Sequence, residues 1–284
     1  MQLTFWGTRG SIPAPGPDTM RYGGNTSCIE LRLDDGTLLI FDAGTGIRSL
    51  GNALLTHSQP VRAHLFLTHM HWDHIQGLPF FAPAFINSTE LSILGPEESH
   101  QTLEQLLCDQ MRRPYYPVPM HSMTATIRFV PLSVGNTFAL PNATIEVGRM
   151  NHPGCTLGYR LTVNDTVIVY ATDNEPFGTN RVSQHLTQPS DLPRFAHKAD
   201  ILIQDAQYTP PEYAQRLGWG HSTYLDALTI AQQAQVKRLV LYHHDPTHTD
   251  AMIDDIMVQC HTWMQQHQAT FTCLAAAEGT SLTL

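Results

Sequence analysis

The run Thr68-His69-Met70-His71-Trp72-Asp73-His74 places four candidate metal ligands within six residues, and few folds have a use for such density. Val61-Arg62-Ala63-His64-Leu65-Phe66-Leu67-Thr68, which leads into it, is rich in apolar residues and reads as a buried strand. The cluster therefore sits at the C-terminal end of a strand. His69 and His71, two apart, can point the same way from extended chain, while Asp73 is expected to cap the next helix and His74 to open it. A lone histidine in a polar loop most often only hydrogen-bonds, but four donors directly after an apolar strand favour a metal.

The same arrangement recurs downstream. Thr37 to Phe41 delivers Asp42, Thr144 to Val147 precedes Asn151-His152-Pro153-Gly154, Val167 to Thr172 ends in Asp173, and Arg238 to Tyr242 delivers His243. Taken alone, Asp173 reads first as a helix cap; its register with the other strand ends reverses that. Gly218-Trp219-Gly220-His221-Ser222-Thr223 stands before an amphipathic helix, where Thr223 and Asp226 form a capping-box pattern and Tyr224, Ala227, Leu228 and Ala231 share a face. A helix start is a favourable place for phosphate. It is also a place where a histidine can do no more than cap.

These motifs together resemble the metallo-β-lactamase superfamily of binuclear metallohydrolases, and the resemblance covers nearly the whole chain. It implies an α+β fold, a four-layer αββα sandwich, with residues 1–284 as one hydrolase domain. Seven residues match the superfamily's ligand positions in order: His69, His71, Asp73, His74, His152, Asp173 and His243. The resemblance gives one metal His69, His71 and His152 and the other Asp73, His74 and His243. Asp173 bridges them, and Asp42 buttresses a ligand histidine. A shared carboxylate suits two cations about 3.5 to 4 Å apart.

Imidazole and carboxylate without thiolate suit zinc, with manganese, iron or nickel compatible. Water between two such cations ionises near neutral pH, which makes hydroxide the nucleophile. Asp73 is then both ligand and the group that orients the attacking water or moves its proton. The Gly-His-Ser-Thr context of His221 resembles the phosphodiesterase branch, which includes ribonuclease Z, the phosphonate-pathway cyclic phosphodiesterase and cyclic-nucleotide phosphodiesterases. There the matching histidine contacts the phosphoryl group and protonates the leaving oxygen. Gly7-Thr8-Arg9-Gly10-Ser11 and Tyr22-Gly23-Gly24-Asn25-Thr26-Ser27 look like a bacterial group of hydrolases related to the cyclic-nucleotide enzymes. Arg9 and Arg21 can meet an anionic group there, or stand solvated in a hairpin connection.

The expected reaction is in-line hydrolysis of a small or cyclic nucleotide phosphodiester, with His221 on the leaving side. The alternatives are an RNA or tRNA 3' processing nuclease, an acyl hydrolase acting on a thioester or β-lactam, and a non-hydrolytic nucleotide sensor. Only twenty residues separate His152 from Asp173, which leaves no room for the arm that many ribonuclease Z enzymes insert there to hold tRNA.

Charge points the same way. The chain has a formal charge of -9 and only two lysines, Lys198 and Lys237, so a basic face for long nucleic acid is not expected. The five cysteines are odd in number, widely spaced and without a C-x-x-C, which suggests neither a disulfide framework nor a thiolate metal site. With no leader-like start and no apolar run of spanning length, a cytoplasmic protein with no membrane partner is expected.

Between these motifs, Pro96-Glu97-Glu98 reads as the first turn of a helix carrying Leu103, Leu106, Leu107 and Met111 and stopped at Pro114. Tyr115-Tyr116-Pro117-Val118-Pro119-Met120 reads as a lid, a homodimer contact or a plain loop. Residues 174–198 read as a loop with short helical turns, and His57, His64, His121, His185 and His261 as surface or packing histidines.

Overall fold

Leu38–Phe41 and Ile201–Asp205 are buried at every position, the mark of strands covered on both faces. Each lies inside a different seven-stranded sheet. The computed structural model describes residues 1–57, 59–98, 100–175 and 191–284, and the chain divides into two compact units, each with one of these sheets.

The first unit comprises residues 1–15, 23–133 and 277–284. Its strands are β1 (Gln2–Gly7), β2 (Cys28–Arg32), β3 (Leu38–Phe41), β4 (Arg62–Phe66), β5 (Glu90–Gly95), β6 (Thr126–Pro131) and the C-terminal β14 (Ser281–Thr283). They run in the order β14-β1-β2-β3-β4-β5-β6. The pairs up to β3 are antiparallel; β3 through β6 are parallel. Parallel neighbours need crossovers. Helix α1 (Gly46–Leu54) supplies the one between β3 and β4, seating Ile47, Leu50 and Leu54 in a core with Ile40 and Leu65. Helices α2 (Trp72–Ile75) and α3 (Leu103–Gln110) follow β4 and β5.

The second unit comprises residues 16–22 and 134–276. Strands β7 (Thr137–Leu140), β8 (Ala143–Arg149), β9 (Leu157–Val163) and β10 (Thr166–Ala171) form an antiparallel meander, and β11 (Ile201–Asp205), β12 (Arg238–Tyr242) and β13 (Thr272–Ala275) extend it in parallel. Its helices are α4 (Leu192–Phe195), α5 (Pro210–Tyr213), α6 (Tyr224–Ala234) and α7 (Asp250–Gln266). The Thr223 hydroxyl accepts from the Asp226 amide to close a capping box at the start of α6, as the sequence predicts. Behind it Ala227, Leu228, Ala231 and Ala234 pack in a core with Leu202 and Leu239. The segment between His152 and Asp173 is the β9–β10 hairpin, so no arm is built there.

The two mixed sheets with their helices make the α+β fold of the metallo-β-lactamase type. Some local expectations need correction. The helix read from Pro96 begins at Leu103, where Thr102 and Gln105 form a capping box; Pro96 and Glu97 lie outside any helix, and Glu98 bridges to Gln101. The apolar stripe itself starts only at Leu103, so the box outweighs the proline signal. Asp73 caps nothing: His71 is the N-cap of α2, and Asp73 stands in its first turn. Most of the loop predicted over 174–198, and His185 with it, falls outside the described residues. No helix among the described residues is long and apolar enough to cross a membrane.

Candidate functional site

In the first unit, the ends of parallel strands β3 and β4 bring Asp42 and Thr68 together. Asp42 is fully buried and held at φ 60, a left-handed conformation uncommon outside glycine. Its Oδ1 accepts the Thr68 N–H at 2.8 Å, and its Oδ2 lies 2.8 Å from His74 Nδ1. The buttress expected from the sequence thus acts on His74. Thr68 Oγ1 lies 3.0 Å from His69 Nδ1, so one carboxylate and one hydroxyl orient two rings.

The rings of His69 and His74 have centroids 4.3 Å apart, and those of His69 and His71 4.5 Å. His71 is exposed; His69, Asp73 and His74 are buried. Asp73 Oδ2 accepts the Ser11 N–H at 2.6 Å and lies 3.3 Å from His74 Nε2. The four residues of the histidine-rich run therefore converge.

In the second unit, four strand ends supply the site. His152 follows β8, Asp173 follows β10, Asp205 ends β11 and His243 follows β12. Asp173 and His243 also sit at positive φ, 52 and 61. His152 Nδ1 lies 2.9 Å from the Gly220 carbonyl oxygen, and His243 Nδ1 lies 3.0 Å from Gln207 Oε1. Asp173 Oδ1 is 3.7 Å from His152 Nε2, while its Oδ2 is 3.3 Å from His243 Nε2.

Whether these donors suit a metal can be judged from their atoms. His74, His152 and His243 each turn Nδ1 to a protein oxygen, the contact that fixes the tautomer and directs Nε2 to a cation. A tetrahedral cation with bonds of about 2.0 to 2.1 Å separates its ligand atoms by roughly 3.3 Å. The gap from Asp73 to His74 and that from Asp173 to His243, both 3.3 Å, match that edge. The two oxygens of Asp173 face the Nε2 atoms of two different histidines, which is what a carboxylate serving two cations requires. Each cluster is thus a fitting donor set for divalent metal, free of thiolate, and no disulfide joins the five cysteines.

His221 is buried, with Nδ1 2.7 Å from Asp205 Oδ2. Asp173, Asp205, His221 and His243 each bring a ligand atom within 4.8 Å of the others. The hydrogen bond to His221 nevertheless engages Asp205, and its Oδ1 accepts the Gln207 N–H at 3.0 Å. Both Asp205 oxygens are thus engaged, Oδ2 by His221 and Oδ1 by the Gln207 and Ser222 N–H groups.

Glu175 fixes the loop that carries His221. It accepts from Tyr213 Oη at 2.6 Å and from the Gly218 and Gly220 N–H groups at 3.0 Å each. Burial, then the Glu175 bond, pushes the Tyr213 hydroxyl up from its ordinary value, which keeps it a donor. Asn151 and Asn174 join the His152 and Asp173 loops through a 2.9 Å bond from the Asn151 N–H. Sequence reasoning assigned no role to Asp205, Gln207 or Glu175; their position at or just after apolar strands was the available signal.

Arg9 lies in the first unit's interior, two residues before Ser11. It is fully buried, with Nε donating to the Gly23 carbonyl oxygen at 2.7 Å. Arg21 is engaged with Asp254 of α7, its Nη1 donating at 3.1 Å. Of the histidines set aside, His57, His121 and His261 are exposed and His64 is half-buried, burial holding the His64 imidazole below its ordinary value. His244 and His248 are buried, His248 Nε2 lying 3.0 Å from Glu212 Oε1.

Residues 37–244 match the family model described as a beta-lactamase superfamily domain. A ribonuclease Z of Bacillus cereus is 26% identical over 287 aligned positions, which cover 86% of this chain and 88% of that protein. Among solved structures, the metallo-beta-lactamase fold protein YhfI from Bacillus subtilis aligns with a TM-score of 0.71 at 18% identity, covering 99% of this chain and 98% of that one. The human tRNase Z short form aligns at 0.65 with 20% identity, over 100% and 99% of the two chains. With the family model spanning most of its length, this chain belongs to the beta-lactamase superfamily and is a metal-dependent hydrolase of the metallo-β-lactamase fold.

Proposed function

We propose that the protein is a phosphodiesterase acting on a small or cyclic nucleotide phosphodiester, with residues 1–284 working as one hydrolase domain. The observation that carries this reading is the Asp205–His221 pair beside Asp173: His221 Nδ1 stands 2.7 Å from Asp205 and 3.8 Å from Asp173 Oδ1. A carboxylate-anchored imidazole next to a metal-ligand carboxylate is a proton donor placed beside a Lewis-acid site. A phosphodiester with an alkoxide leaving group needs that combination.

In this reading His69, His71 and His152 would hold one divalent cation and Asp73, His74 and His243 the other, and Asp173 would serve both. Zinc is the simplest occupant, manganese, iron or nickel being compatible with the same donors. When bound, such cations supply a Lewis acid that acidifies water and offsets charge developing on the phosphoryl group. Asp73 orients the attacking water and takes its proton. Its Oδ2 is fixed for this by the Ser11 N–H. His221 binds the phosphoryl oxygen and passes a proton to the departing one. Arg9, buried with its Nε on the Gly23 carbonyl oxygen, is a further substrate-binding residue in this reading, its guanidinium meeting an anionic group.

A second reading, RNA 3' processing, is favoured by the relative named ribonuclease Z. Against it stand the -9 charge and the hairpin that fills the interval between His152 and Asp173. Metal-loaded protein should cleave bis-p-nitrophenyl phosphate and 2',3'- or 3',5'-cyclic nucleotides; Asp73→Ala should lose turnover of both classes, and His221→Ala that of the cyclic nucleotides most of all. Cleavage confined to a tRNA precursor, with binding that falls steeply with salt, would establish the second reading instead. Turnover of nitrocefin or a thioester alone would move the assignment to acyl chemistry.

A further inference from the structure

Ser11 stands at the apex of a three-residue turn in the first unit, closed by the Ile12 N–H donating to the Gly10 carbonyl oxygen at 2.7 Å. Its φ is 63. A turn of this span around a residue of positive φ is the rare, strained form of the γ-turn, and any side chain at its apex costs more than glycine would. Thr8, Arg9 and Gly10 before it are buried, whereas Ser11 is exposed. A serine thus occupies a position where glycine would be unstrained.

The turn aims the Ser11 N–H at Asp73 Oδ2, 2.6 Å away, and that oxygen lies 3.3 Å from His74 Nε2. This contact alone does not call for serine, because every residue except proline has an N–H. What serine adds is a hydroxyl, on an exposed residue bordering the carboxylate that orients the attacking water. In an in-line displacement the charge spreads over the non-bridging oxygens of the phosphoryl group, which surround the line of attack. They therefore come beside whatever flanks the group that holds the water, and a hydroxyl there has a proton to donate.

We propose that Ser11 binds the phosphoryl group, its Oγ donating to a non-bridging oxygen while its N–H holds Asp73. The proposal rests on the phosphodiesterase reading, in which Asp73 places the water, and adds a group that places the phosphorus in front of it. It also gives the strained backbone a use: one residue fixes both the carboxylate and the oxyanion.

The test uses the metal-loaded full chain at matched metal content. Ser11→Gly and Ser11→Ala both delete the hydroxyl and keep the N–H; the glycine variant also relieves the turn, so it should melt no lower than wild type. Both should lose kcat/KM for thymidine 5'-(p-nitrophenyl phosphate) by about 10- to 150-fold, the loss of a hydrogen bond to a charged group. With the Rp and Sp phosphorothioate analogues of that ester, the loss should largely vanish for the diastereomer that turns sulfur, a weak acceptor, toward Ser11, and persist for the other. A disturbed fold would lower both alike. Inorganic phosphate, titrated calorimetrically, reads the same contact without turnover: its Kd should rise at least about tenfold in both variants. Full kcat/KM in Ser11→Gly overturns the proposal and leaves the residue its backbone role alone. Equal losses on the two diastereomers, or an unchanged phosphate Kd, overturn it as well. A raised phosphate Kd where wild type turns over no diester supports Ser11 as the oxyanion donor and sinks the phosphodiesterase reading alone.

Discussion

Asp205 Oδ2 lies 2.7 Å from His221 Nδ1, and the aspartate itself is anchored by the Gln207 N–H and by its place at the end of β11. A carboxylate on Nδ1 fixes the ring's orientation and aims Nε2. If His221 protonates the leaving oxygen, its removal should matter most where that oxygen is basic. His221→Ala is expected to lower kcat by about 10²–10⁴ for a nucleoside leaving group, and by at least tenfold less for p-nitrophenolate, which departs without a proton. Asp205→Asn should follow the same pattern with smaller losses. Equal losses on both esters, at matched metal content, would reduce His221 to a binding group.

Gln207 Oε1 meets His243 Nδ1 from the turn after β11. Gln207→Leu removes that acceptor while roughly keeping the side chain's volume, so the ring loses its orientation without a cavity being opened. Metal affinity should fall about 10- to 100-fold, measured by competition with a chromophoric chelator, and excess metal should restore most of kcat. An unchanged affinity would show that the strand end alone positions His243.

Gly220 has φ +90, and a Cβ there would stand 2.2 Å from His152 Nδ1. Gly220→Ala thus combines backbone strain, on the order of 1–3 kcal/mol, with displacement of a metal-ligand ring. Gly36→Ala separates the two effects: its φ is +87 but nothing lies within 4 Å of the added carbon. Both variants should melt at lower temperature, and only Gly220→Ala should also weaken metal binding. If the two lost metal equally, the clash with His152 would not be the cause.

What the sequence makes legible here is local. An apolar run followed within a few residues by His or Asp marks a strand end, and His69, His152, Asp173 and His243 all lie one to three residues past one. What it hides is pairing at a distance. Asp205 reaches His221 sixteen residues on, and Glu175 reaches Gly220 across forty-five. Either partner alone looks like an ordinary strand-end acid or turn glycine. Helix α1 shows a different failure. Ile47, Leu50 and Leu54 have helical spacing, but the helix opens at Gly46 with no side-chain cap, so no start signal draws the eye. Trp72 and Tyr115 lie far apart in sequence and both line one cavity, which no periodicity could have shown.

Asp200, at the entry to β11, gives a test of the fold away from the metal ligands. Burial pushes its carboxyl up, but the Lys237 ammonium at 2.7 Å and the Val167 N–H at 2.8 Å outweigh burial and hold it below the usual carboxylate range. A pKa lowered on folding means that the unfolded chain binds the proton more tightly. The contribution is therefore fully present above the unfolded value, about 3.9, and is lost as pH falls through the folded one. Asp200→Asn should be less stable than wild type in urea at pH 7, and the gap should close only below about pH 4. The pair with Lys237 is well exposed on the lysine side, so part of the gap should shrink in high salt. The part carried by the Val167 N–H should persist. A gap that vanished entirely in salt would assign the whole effect to the ion pair and none to the strand-end hydrogen bond.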